Sequence, residues 1–339
     1  MRSQLIAGAA ISIYAAARLL PEDFTPTQEA TRSVASILLA TGLYVSVAGI
    51  QTDKVREDGI SLTLAVVFGV GIKIALLFSI LSAFFSWTES AALSVIFAQV
   101  DPLSTGVVLG RSRLSLRGKN FIQAWASFDD PITTLVALAI IGTPGNFDMQ
   151  EAIAVGWVAT SACLLGIAAL RRWGSGSQLV GLVSHLLAAG TIVLSVQFEF
   201  FFASALLGLF FRPAWVYRIS GQYLLFAYLV AFGLVGVSVN RQEQWIQGFL
   251  LALLATLAHA SVSAIFAQSL SRLDRVLIAA GQQSGLTALI LTLTFLDAGV
   301  DVVDVAAPAI LGSIVLYYAT NQVLSQADGD FPLMRYADE

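Results

Sequence analysis

The stretch QAWASFDDPITT, residues 123–134, places two adjacent carboxylates, Asp129 and Asp130, inside an otherwise apolar run that continues LVALAIIG. A carboxylate offers lone pairs to a hard cation when ionised and loses that capacity when protonated, so one group can serve proton and cation in turn. Two other apolar runs are interrupted by polar residues. One reads SAALSVIFAQVDPLSTGVVLG and contains Asp101-Pro102; the other reads VLIAAGQQSGLTALILTLTF, with Gln282 and Gln283 between glycines. Proline withholds a backbone donor and pushes the preceding residue out of the helical region, so Asp101-Pro102 predicts a broken helix. Hydroxyls at Ser104, Thr105 and Thr133 lie close by in sequence and are candidate cation ligands. Two bases, Lys73 in GVGIKIALL and His259 in LLATLAHASV, sit deep in apolar runs and are candidate partners for the aspartates.

These residues need an environment, and composition supplies it. The chain has 339 residues, of which 57% are hydrophobic and only 12% charged, with mean hydropathy +0.80. Soluble domains carry about 25% charged residues, so this chain cannot cover a soluble surface. It reads as an all-α, polytopic integral membrane protein. The net charge of −4 comes with no basic arm, which argues against nucleic acid as a partner. The single cysteine, Cys163, excludes an intramolecular disulfide and a cysteine metal site. No nucleotide loop, zinc spacing or nucleophile triad is present, so neither an enzyme nor a cofactor is expected.

A spanning helix takes about 20 apolar residues. Twelve runs qualify: 4–20, 33–50, 60–85, 90–109, 121–141, 152–170, 178–194, 196–211, 223–239, 245–270, 276–296 and 303–323. Lys and Arg accumulate on the cytoplasmic side. With the N-terminus inside, fourteen of them fall in inside segments and only Arg18, Arg32 and Arg241 outside. Both termini are therefore expected in the cytoplasm, with the plasma (inner) membrane as the location.

The fifth span should start near Phe121, which puts Asp129 and Asp130 about 12–14 Å along it, near the middle of a ~30 Å hydrocarbon core. Reading Asp130 as a helix cap before Pro131 leaves a helix too short to span, so the proline belongs inside a longer helix. An aspartate at that depth costs at least ~2.5 kcal/mol, which makes an ion or proton pathway the default reading. The interrupted fourth and eleventh spans are an odd number of spans apart, as two inverted repeats require.

The stretches FAQVDPLSTGVVL and IQAWASFDDPITTLVALAI together resemble the cation:proton antiporter superfamily, as do LYVSVAGIQ, FEFFFASALLGLFF and GQQSGLTALILTL. The resemblance runs from about residue 34 to residue 322. It implies two broken helices crossing at the midplane, an ion-translocating core of 60–141 and 245–323, and a dimerisation subdomain of 1–59 and 142–244. It makes Asp130 the main carrier, Asp129 its neighbour, Asp101 the helix-break residue, and a homodimer the expected assembly. Relatives often carry a lysine or arginine in the tenth span, where this chain has His259. That match favours His259 over Lys73 as the partner of Asp129. The expected activity is exchange of a monovalent cation, Na+ foremost with K+ or Li+ as alternatives, for protons by alternating access. A symporter or anion carrier of the same architecture, or a membrane sensor, is the alternative reading.

Overall fold

In the computed structural model, residues 2–19, 27–48, 59–101, 114–141, 161, 166–167, 178–197, 201–238, 244–281 and 284–327 are described. These residues are helical throughout, without strands. The helices are α1 (Arg2–Arg18), α2 (Gln28–Ala48), α3 (Gly59–Leu81), α4 (Trp87–Ala98), α5 (Leu116–Ile141) and α6 (Gln178–Gln197). They continue with α7 (Phe202–Phe210), α8 (Ala214–Ser238), α9 (Trp245–Phe266), α10 (Arg272–Ala279), α11 (Leu286–Asp297) and α12 (Val303–Ala327). Four of them, α3, α5, α6 and α9, are long and apolar enough to cross a membrane. The span expected over 152–170 lies almost wholly outside the described residues.

Local chemistry sets the ends. Ser86 caps α4 in a reciprocal box: its hydroxyl accepts from Glu89 N while its own N–H donates to the Glu89 carboxylate. Helix α5 begins at Leu116, five residues before the expected Phe121, because Ser115 caps it by accepting from Gly118 N at 3.0 Å. Ser115 also donates through N–H and Oγ to the buried Asp274, at 2.9 and 2.7 Å. Asp274 lies in the first turn of α10, whose cap is Ser271. One carboxylate thus joins the starts of α5 and α10.

Between apolar helices in lipid there is no hydrophobic drive to associate, and close van der Waals contact takes its place. Small residues provide it. A Cβ on Gly248 of α9 would come within 2.6 Å of Pro308 in α12, and one on Gly208 of α7 within 2.6 Å of the Tyr44 carbonyl in α2. Pro308 also removes the intrahelical donor that would serve the Asp304 carbonyl, and Gln244 N–H takes that carbonyl at 3.0 Å. The core runs through α2–α5, α8, α9, α11 and α12, with α11 packed on α2, α4, α5 and α12. By contrast α6 turns Leu179, Leu182, Leu186 and Val193 outward, as a lipid-facing helix does.

Helix α3 contains a widened π-type turn at Ala65–Gly69, one turn ahead of Lys73. Such turns shift the register of the residues that follow. Gly69 packs there against Trp125, where a Cβ would sit 3.4 Å from the indole.

Candidate functional site

Asp129 and Asp130 lie at the middle of the 26-residue α5, and the helix runs through Pro131 without interruption. A cap at Asp130 is thereby ruled out. Both carboxylates are buried, and so is Asp101. The hydroxyl of Thr133 bonds back to the carbonyls of Asp129 and Asp130, and that of Thr134 to Asp130, at 2.8–3.1 Å. Thr133 also donates to Gln99 Oε1 at 3.1 Å, linking α5 to the end of α4.

The two neighbours have different partners. Asp129 Oδ2 accepts from Lys73 Nζ at 2.7 Å, in an ion pair whose two side chains are 1% and 0% exposed. Asp130 Oδ2 accepts from the Thr287 hydroxyl of α11 at 2.8 Å. The remaining oxygen of each, Oδ1, is buried and receives no hydrogen bond. The Trp125 indole and the Val100 amide stand beside Asp129 without meeting hydrogen-bond geometry. Asp101 is near enough to Asp130 for the two to repel. Among the described residues, one ammonium, on Asp129, serves the two adjacent carboxylates, and a proton or a cation at Asp130 would relieve their repulsion.

The ends of the neighbouring helices bring the third carboxylate in. Helix α4 stops at Ala98 and Gln99 is extended; residues 102–109 of the expected span lie outside the described residues. The expected eleventh span is two helices, α10 ending at Ala279 and α11 starting at Leu286. Asp101 fills the space in front of Gly285, the residue that precedes α11; any Cβ there would overlap its carboxylate. The negative group thus stands at the positive end of a helix dipole. Ser313 of α12 holds the backbone between α10 and α11, accepting from Ser284 N at 3.2 Å and donating to Ser284 O at 3.3 Å.

His259 does not pair with Asp129, which corrects the preference drawn from the tenth span. Its Nε2 meets the Ile278 carbonyl at 3.0 Å and lies 3.2 Å from Ser263 Oγ. The Ile278 carbonyl also accepts from Gly281 N at 2.9 Å, so the imidazole takes its second lone pair at the end of α10. Both candidate bases touch Trp125: the Lys73 ammonium is 5.3 Å from the indole centroid and the His259 ring 5.2 Å. Of the other expected ligands, Thr133 joins the cluster, while Ser104, Thr105, Gln282 and Gln283 lie outside the described residues. The sequence reading missed Gln99, Trp125 and Thr287. Trp125 carries a legible signal, one turn before Asp129 on the same helix face; Thr287 carries none, being 157 residues from Asp130.

No protein-family model matches the chain, and no curated protein does. Solved structures do. The sodium proton antiporter MjNhaP1 from Methanocaldococcus jannaschii, in a structure at pH 8, aligns with TM-score 0.73 over 95% of this chain and 92% of that one, at 15% identity. An electron-microscopy structure of the same antiporter aligns with TM-score 0.63, covering 91% and 84%, again at 15% identity. The chain has a cation:proton antiporter-like fold. The similarity runs through nearly the whole of both chains, so this fold accounts for the arrangement of α1–α12 and not merely for a shared helical hairpin. At 15% identity the likeness concerns the fold alone.

Proposed function

We propose that this protein is a secondary transporter that exchanges a monovalent cation, Na+ foremost, for protons by alternating access. The observation that carries the reading is the pair of adjacent buried carboxylates at the middle of α5, each with one oxygen lacking a partner. Asp130 is the exchanging group. Its hydroxyl partner, Thr287, donates equally well beside a protonated acid or a cation-bound carboxylate. Asp129, already paired with Lys73, is the second ligand. Asp101 and Thr133 complete an oxygen-rich set of the kind hard cations prefer; Ser104, Thr105, Gln282 and Gln283 remain candidates.

The architecture that fits this role has twelve spans in two inverted repeats, with the α4 and α10–α11 breaks crossing near the midplane. Residues 60–141 and 245–323 form the ion-translocating part; 1–59 and 142–244 form the part through which two copies associate. Both termini face the cytoplasm of a plasma-membrane protein. The Lys and Arg distribution supports this orientation, and the position of Asp129 and Asp130 halfway along α5 supports a site at mid-membrane.

The test is proton movement in proteoliposomes on addition of Na+, Li+ or K+ separately, with Asp130→Asn alongside. Cation-driven proton efflux in the parent and its loss in the variant are expected. Proton movement in the same direction as the cation would make the protein a symporter. Cation-dependent spectral changes without flux would make it a sensor.

A further inference from the structure

A cation that takes both oxygens of Asp129, the free Oδ1 together with Oδ2, displaces the Lys73 ammonium, which holds Oδ2 at 2.7 Å. In a dry interior a displaced ammonium with no acceptor is costly, so the exchange needs a second seat for it. His259 offers one. The Ile278 carbonyl can only accept, so the ring proton sits on Nε2 and Nδ1 presents a lone pair. That Nδ1 is buried and has no hydrogen-bond partner. Both groups contact Trp125: the ammonium stands over its ring at 5.3 Å and the imidazole lies against it at 5.2 Å. The face of an indole attracts a cation. Lys73 and His259 are also within electrostatic reach of each other.

We propose that His259 is a positioning residue whose Nδ1 receives the Lys73 ammonium when a cation takes Asp129, with the Trp125 face guiding the transfer. The proposal rests on Asp129 being a cation ligand. It makes the lysine a two-position arm: on Asp129 in the cation-free protein, on His259 in the cation-bound one. In both positions the imidazole keeps its hold on the end of α10 through Nε2.

The chain has two histidines, His185 and His259, so imidazole nitrogen resonances of the 15N-histidine protein can be followed directly. Adding Na+ to the full-length protein, with proton release recorded in parallel, should move the His259 Nδ1 signal toward that of a hydrogen-bonded acceptor. The His185 signals serve as the control. The shift should be absent in Lys73→Gln. His259→Leu should weaken apparent Na+ affinity about tenfold, equivalent to about 1.4 kcal/mol. His259→Gln, which retains an acceptor, should recover most of it, and in the Lys73→Gln background His259→Leu should add nothing. A stationary Nδ1 signal at Na+ concentrations that saturate proton release would overturn the proposal and leave the exchange reading intact. So would equal losses for His259→Leu and His259→Gln. Absence of any Na+-dependent proton release in the parent would sink the exchange reading and this proposal with it.

Discussion

Asp101 and Gly285 meet so closely that the carboxylate of one takes the place a side chain would occupy on the other. The contact joins the end of α4 to the start of α11 and sets a negative charge against the positive end of the α11 dipole. Glycine is required here by approach, not by backbone conformation. Gly285→Ala should push the carboxylate away while leaving every charge in place. An apparent cation affinity at least about tenfold weaker, with normal membrane expression, is the expected result. Unchanged exchange kinetics in proteoliposomes would show that Asp101 can leave this position without consequence.

Lys73→Gln should destabilise the cation-free protein by about 3–5 kcal/mol, since it leaves Asp129 buried and unpaired. The loss should shrink as Na+ is added, because a bound cation supplies the missing charge and favours the folded state by mass action. Lys73→Gln combined with Asp129→Asn should melt closer to the parent than Lys73→Gln alone. Thermal unfolding in detergent across a Na+ series separates these outcomes; a Na+-independent deficit would speak against a cation at Asp129.

Asp130→Asn keeps the shape of the side chain and removes both its charge and its exchangeable proton. It should insert and fold normally and abolish cation-driven proton movement. Thr287→Val removes one hydrogen bond to the carboxylate and should slow exchange without abolishing it, by about five- to tenfold for a loss of about 1 kcal/mol. If Thr287→Val proves as inactive as Asp130→Asn, the hydroxyl is itself an essential ligand.

The clamp between Ser115 and Asp274 predicts a coupled pair far in sequence. Asp274→Ala should cost about 1–3 kcal/mol by leaving buried donors unsatisfied, and Ser115→Ala about 1 kcal/mol through the lost cap. Because the two share hydrogen bonds, the double variant should lose less than the sum of the single ones. Strict additivity in unfolding experiments would mean that the contact contributes little.

Orientation can be tested at residues the exchange site does not use. In a Cys163→Ser background, Lys54→Cys and Ser175→Cys should be shielded from an impermeant thiol reagent applied outside intact cells. Labelling of either from outside would reverse the assigned sidedness.

Much of this protein was legible in its sequence, because the decisive signals were local. Scarcity of charge places the chain in a membrane, and long apolar runs mark most of its helices. The spacing of Asp129 and Asp130 from the helix start puts them at mid-helix, an inference that survives the shift of that start from Phe121 to Leu116. The end of α4 at Ala98, ahead of Asp101-Pro102, is likewise a consequence of residue type. The partners were not legible. Lys73 and His259 sit at similar depths in apolar helices, and depth alone cannot say which faces Asp129. A helix that is apolar all round has no polar stripe to reveal its rotation. Rotation is decided by contacts such as Gly248 on Pro308 and by the widened turn at Ala65–Gly69, which precedes Lys73. Those contacts turn the lysine to Asp129, the imidazole to Ile278 and Thr287 to Asp130. The sequence determined which charges lie within the membrane; packing between helices decided which of them meet.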